Sequence, residues 1–89
     1  MQRTVPSDEL LAFARALRTL RRERELSQEA LAYAADIHPK HLSDIERANK
    51  DPRLTTVLRL AHALGIEPAE LLAALSSRLS EIQRSEVSS

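Results

Sequence analysis

Leu10, Phe13, Leu17 and Leu20 recur at intervals of three and four residues between polar positions, which sets them on one stripe of an α-helix. The spacing predicts a first helix from about Ser7 to Arg24 with one buried face. Ser27 stands where an N-cap belongs, its hydroxyl able to accept an early helical N–H, and Glu29 suits the positive end of the helix dipole. A second helix is therefore expected from Gln28 to about Ala35. Asp36-Ile37-His38 interrupts the pattern before Pro39, which needs no amide donor in a first helical turn and opens a third helix running to about Arg47. The turn-rich run Ala48-Asn49-Lys50-Asp51-Pro52 leads into a fourth stripe of Leu54, Val57, Leu58, Ala61 and Leu64, ended by Gly65. Pro68 opens a fifth helix through Leu71, Leu72 and Leu75 to about Arg84, beyond which the Ser-rich end has the composition of a frayed tail.

Composition narrows this to an all-α fold. Glycine, tyrosine and phenylalanine occur once each and tryptophan never, whereas sheets lean on aromatic and β-branched residues. No strands are expected. The length of 89 residues allows one compact domain with a modest core, and without cysteine neither a disulfide nor a thiolate zinc site can supplement it. No apolar run is long enough to span a bilayer, and Met1 to Pro6 lack the apolar stretch of a signal peptide, so the cytoplasm is the expected address. The formal net charge is zero, but residues 15 to 59 carry ten Lys/Arg against seven Asp/Glu. Any surface for a polyanion belongs to this middle stretch.

Two short helices joined by a three-residue turn have helix-turn-helix geometry. Leu31 and Ala35 face inward from the first of them, Ile37 plugs the turn, Leu42 and Ile45 face inward from the second, and small Ala32 sits where they cross. An ordinary αα-hairpin inside a bundle shares this spacing.

The residues that separate the two are Leu26-Ser27-Gln28-Glu29-Ala30-Leu31-Ala32, then Leu42-Ser43-Asp44-Ile45-Glu46-Arg47, then Pro52 and Leu60-Ala61-His62-Ala63-Leu64-Gly65-Ile66. Together and at these spacings, they resemble the Cro and phage-repressor (xenobiotic-response-element, XRE) family over roughly residues 10 to 75. The resemblance implies a five-helix, lambda-repressor-like DNA-binding domain, set at residues 1 to 75; residues 76 to 89 are expected from their own spacing and composition as a helical extension and frayed tail. It also implies a transcriptional regulator of repressor or controller type, whose third helix enters the major groove of double-stranded DNA, generally as a homodimer on a palindromic operator. Carried over by position, Ser27, Gln28, Arg47 and Lys50 are expected at phosphates, and Pro39, Lys40, Ser43 and Asp44 at base edges with His41 beside them. Lys40 suits guanine O6 and N7, and Asp44 either accepts from cytosine N4 or pairs with Lys40 at i, i+4. The family pattern further implies an ion pair between Arg21 and Glu46 that ties the first helix to the end of the third.

The sequence departs from the family pattern at Asp36, in place of the usual glycine at the bend, and at Ala48, in place of the glycine after Glu-Arg. Asp tolerates a left-handed backbone at the first, and Asn49 is expected to take the left-handed turn at the second. Pro39 stands where many relatives carry a hydrogen-bonding side chain, which removes one base contact.

Catalysis and cofactors are not expected, since no nucleophile elbow, phosphate-cradling loop or His-Glu-x-x-His occurs. His38, His41 and His62 lack a cysteine or a well-placed third ligand, so no metal site is expected either. Two alternatives stay open: an antitoxin that binds DNA and a partner toxin, and an interaction module that kept the fold but not DNA. Finally, Leu72, Leu75, Leu79 and Ile82 share one stripe and are expected to form a short dimer seam, or else to fold back onto the first helix at Leu10 and Phe13.

Overall fold

The computed structural model describes residues 6–88, and the side chains of residues 6–86; the opening Met1 to Val5 lies outside the described residues. Five helices follow in order: α1 (Asp8–Glu23), α2 (Gln28–Ala34), α3 (Pro39–Glu46), α4 (Leu54–Ala63) and α5 (Pro68–Ser88). Among the described residues there are no strands. Leu17, Leu31, Leu42, Ile45, Leu60 and Leu71 are almost wholly buried, so every helix sends at least one large side chain into a common core. Burying each of these contributes about 1.5–3 kcal/mol.

Polar side chains set where the helices begin. Ser7 Oγ accepts the Leu10 N–H at 3.1 Å and Ser27 Oγ accepts the Ala30 N–H at 3.0 Å, each satisfying a donor that the first turn leaves without a partner. At α5 the side chain of Glu70 reaches back to the Glu67 N–H at 3.2 Å. The start of α3 is capped by a residue rarely used so: His38 Nδ1 accepts the Lys40 N–H at 3.1 Å. Removing that acceptor in His38→Ala should cost about 1 kcal/mol, and His38→Asn should restore it. Urea melts of the two variants check this, and equal midpoints would refute the cap.

The ends of α1 to α4 share one geometry. In each, the residue after the C-cap has positive φ (Glu25 54°, Asp36 58°, Ala48 59°, Gly65 74°). Its N–H and the next N–H return to the last turn, as at Asp36 N–H to Tyr33 O (3.1 Å) and Ile37 N–H to Ala32 O (2.9 Å). This is the Schellman motif. Only one of the four is glycine. Asp36 takes the left-handed bend as expected, but Ala48, not Asn49, takes the second one, and Glu25 takes one the sequence did not flag. Asn49 instead donates to Asp44 O at 2.8 Å, closing the motif from the following position. Apolar Leu26, Ile37 and Ile66 stand at that following position after α1, α2 and α4, half-buried against the core. Their burial offsets the strain of a left-handed side-chain-bearing residue, of order 1–2 kcal/mol.

The fifth helix is unbroken from Pro68 to Ser88, running past the end expected near Arg84 into the Ser-rich stretch expected to fray. It runs antiparallel to α1, in the most extensive helix–helix packing of the fold. Arg78 Nη2 donates to Thr19 Oγ1 at 2.9 Å at one end, and Glu86 meets Asp8 at the other, where that shared hydrogen bond and repulsion raise the Glu86 carboxyl above its ordinary value. Asp8, Ala12 and Thr19 lie along one line of α1 beside Ala16, and both alanines are almost wholly buried. The buried face of the first helix is thus wider than the Leu10, Phe13, Leu17 and Leu20 stripe. Of the four residues expected at a dimer seam, Ile82 is buried and Leu75 is half-buried against the core within the single chain, while Leu79 is half-buried and Leu72 is 52% exposed.

Candidate nucleic-acid interface

α3 is eight residues long and is oriented by its last one. Glu46 is 2% exposed, and its carboxylate accepts Arg21 Nε at 2.7 Å, Arg21 Nη2 at 3.0 Å and Gln28 Nε2 at 2.9 Å. The first two bonds form the side-by-side fork that guanidinium and carboxylate make best. Arg21 also donates from Nη1 to Leu26 O at 2.8 Å, and Arg18 Nη2 donates to Glu46 O at 2.8 Å. The hydrogen bonding to Glu46 outweighs burial and raises the Arg21 guanidinium above its ordinary value, so its charge persists. α1, the first residue of α2 and the last of α3 are thereby joined at one carboxylate, and the α1–α2 turn is joined to them through Arg21.

With Leu42 and Ile45 in the core and Glu46 on the arginine, rotation about the axis of α3 is fixed. At 100° per residue the opposite side is a continuous arc of Pro39, Lys40, Ser43, Asp44 and Arg47, with His41 on its flank. Pro39, Lys40 and Arg47 are exposed, and Ser43, Asp44 and His41 half-exposed. Lys50, in the turn after α3, borders the same shallow depression as His38, Lys40, His41 and Asp44. The arc is charged on both signs: Asp44 Oδ1 accepts Arg47 Nη2 at 2.7 Å, and Asp44 Oδ2 lies 3.8 Å from Lys40 Nζ. The hydrogen bond from Arg47, with the nearby charges of Lys40, Arg47 and Lys50, lowers the Asp44 carboxyl below its ordinary value. The pairing is therefore present above the usual aspartate range and is lost only as pH falls through the depressed value.

Besides Arg47, two residues expected at phosphates have partners inside the chain. Gln28 spends an amide hydrogen on Glu46, and Ser27 Oγ accepts the Ala30 N–H, leaving its own hydrogen to donate. Both sit at the N-terminus of α2. Of the histidines, His38 caps α3, His41 flanks the arc, and His62 borders a different depression with Asp36 and Leu58. Among the described residues no group of three His, Cys, Asp or Glu side chains is arranged to hold a metal ion. Sequence reasoning missed one cation at a helix end: Arg24 Nε donates to the carbonyl of Leu64, the C-cap of α4, at 2.6 Å. A basic residue just past a helix, forty positions from its acceptor, leaves no local signature.

A family model described as a helix-turn-helix domain matches residues 12–75. The control protein C.BamHI of Bacillus amyloliquefaciens is 36% identical over 63 residues, covering 70% of this chain and 78% of that protein. The restriction-modification controller protein C.AhdI from Aeromonas hydrophila shares the fold with a TM-score of 0.71 at 38% identity, over 73% of this chain and 98% of that one. At 20% identity, the controller protein C.Esp1396I, solved as a tetramer with its natural 35 base-pair operator, has the same fold with a TM-score of 0.78, over 82% of this chain and 96% of that one. No helix among the described residues is long and apolar enough to cross a membrane. With a short α2, a left-handed turn at Asp36 and an α3 anchored from behind by Arg21, the chain belongs to the helix-turn-helix family of Cro and phage-repressor (XRE) type, a family of transcriptional regulators and not of enzymes.

Proposed function

We propose that this regulator binds a palindromic operator in double-stranded DNA as a homodimer in the cytoplasm, acting as a repressor or controller with α3 in the major groove. The observation that carries the reading is the outward arc of α3, where Lys40 and Arg47 extend from a helix held rigidly from behind. Lys40 donates to guanine O6 and N7, Ser43 to a neighbouring base edge, and Arg47 and Lys50 to phosphates. Ser27 and the N-terminus of α2 grip a further phosphate. Apolar surface suited to a second copy is left at Leu54 and Leu58 of α4 and Leu72 of α5, which are 73%, 42% and 52% exposed.

The test is a titration of DNA from the chain's own upstream region. Binding should weaken steeply with salt as counterions are released. Lys40→Ala should cost about 1–3 kcal/mol and loosen discrimination at one base pair, while Arg47→Ala should weaken all sequences alike. Unchanged affinity and base preference in Lys40→Ala would remove α3 from the role of reader. Gln28→Ala is a poorer probe of the phosphate contact, because it also strips a hydrogen bond from buried Glu46.

A further inference from the structure

The two cations of the α3 arc share a single anion, and that anion has one oxygen on each of them. Arg47 Nη2 is 2.7 Å from Asp44 Oδ1, and Lys40 Nζ is 3.8 Å from Asp44 Oδ2. The exposures are unequal: the side chains of Lys40 and Arg47 are 76% and 57% exposed, whereas that of Asp44 is only 15% exposed beneath them. Pairing of this kind on an open helix face does little for stability. Its consequence is at the groove. Two of the cations nearest the DNA are partly neutralised before any DNA arrives, in a chain whose formal net charge is already zero.

A carboxylate only accepts hydrogen bonds. Against a phosphate, or a base edge that also only accepts, Asp44 adds repulsion and a desolvated charge with no new donor. Where the base facing it is cytosine or adenine, with an exocyclic amine at N4 or N6 in the major groove, and not guanine or thymine, it gains a donor that can replace its own cations. Lys40 and Arg47 are then free to turn to guanine and to phosphate. Resting on the reading of α3 as the helix that meets DNA, we infer that Asp44 is a specificity gate, holding Lys40 and Arg47 back on non-cognate DNA and releasing them where a base offers an amine. Much of the discrimination then comes from weak binding to wrong sequences.

The variant that isolates this is Asp44→Asn, which keeps the shape and removes the charge, with Asp44→Glu as the charge-preserving control. Each is titrated against a short random-sequence duplex and against the sequence that the unaltered protein selects from a random pool, at several salt concentrations. Far-UV circular dichroism checks that the helices are retained. Asp44→Asn should bind the random duplex about tenfold more tightly, with a salt dependence steeper by roughly one unit of log–log slope for each cation turned to phosphate. Its preference for the selected sequence should fall at least as far, and Asp44→Glu should stay close to the unaltered protein. Random-duplex affinity that does not rise in Asp44→Asn overturns the gate, and so does an equal rise on both duplexes that leaves the preference intact. In both cases binding of the unaltered protein to its selected sequence keeps the DNA-binding function standing. Failure of all the proteins to bind any duplex at low salt overturns that function and the gate with it.

Discussion

Glu46→Ala should destabilise the fold by about 3–5 kcal/mol, the cost of breaking a buried ion pair from one side. The carboxylate accepts three side-chain hydrogen bonds at 2.7 to 3.0 Å from Arg21 and Gln28, and both Glu46 and Arg21 are buried. Its removal leaves a guanidinium largely out of water, keeping only the carbonyl of Leu26, and Gln28 without its partner. A small domain has only about 5–15 kcal/mol of stability in total, so the loss approaches unfolding. Thermal and urea melts followed by circular dichroism measure it, and a loss below about 1 kcal/mol would show that the pair is effectively solvated. The double change Arg21→Met with Glu46→Leu should recover much of the loss, because two apolar side chains of similar volume avoid the desolvation cost of both ions. If stability returns while operator affinity does not, the pair serves chiefly to hold the angle of α3.

That ion pair was legible in the sequence only through the family pattern, since twenty-five positions separate its partners and five arginines crowd residues 15 to 24. The helices were legible from the residues themselves. Stripes of leucine at three- and four-residue spacing, two serine caps and two prolines bounded α1 to α5 to within a few positions. The helix ends were harder, because only Gly65 announces a left-handed residue by its identity. At Glu25 and Asp36 the informative residue is the next one, Leu26 and Ile37, an isolated apolar side chain just past a helix end. Ala48 has no such neighbour, as Asn49 is exposed, and its positive φ is signalled only by the family pattern, which places a glycine there. Within the interface, spacing places Lys40 over Asp44, but the closer bond from Arg47 depends on a long side chain curling back from the C-cap of α3.

At the end of the chain the sequence leaves two partners open for the α5 stripe, a second copy and the first helix, for a different reason. Ala12 and Ala16 register in a sequence as good helix formers and not as a contact surface, yet buried small residues are what allow a second helix to lie close alongside. A stripe of alanines on α1 and a stripe ending in Ile82 on α5 are two halves of one interface, separated by most of the chain. Leu79 and Ile82 therefore have a partner without a second subunit.

From that packing, a chain ending at Ala74 should lose about 3 kcal/mol or more, and this loss should appear in the monomer. Ile82 is buried and Leu75 and Leu79 are half-buried, and cutting them away returns their apolar surface, and that of Ala12 and Ala16 beneath, to water. The hydrogen bond from Arg78 to Thr19 goes with them. Cavity and exposure costs of this size lower the melting temperature by roughly 12 °C or more in a domain this small. Melts at concentrations low enough to exclude dimers measure it, and an unchanged midpoint would mean that the second half of α5 does not pack on α1, leaving its apolar stripe free for a second copy. Loss of a dimer on truncation cannot by itself locate the dimer interface, because the same cut loosens α1, which carries Arg21 and so the orientation of α3. Leu72→Lys separates the two effects: at 52% exposure it should barely move the melting temperature, and any fall in sedimentation coefficient then reports contact between copies.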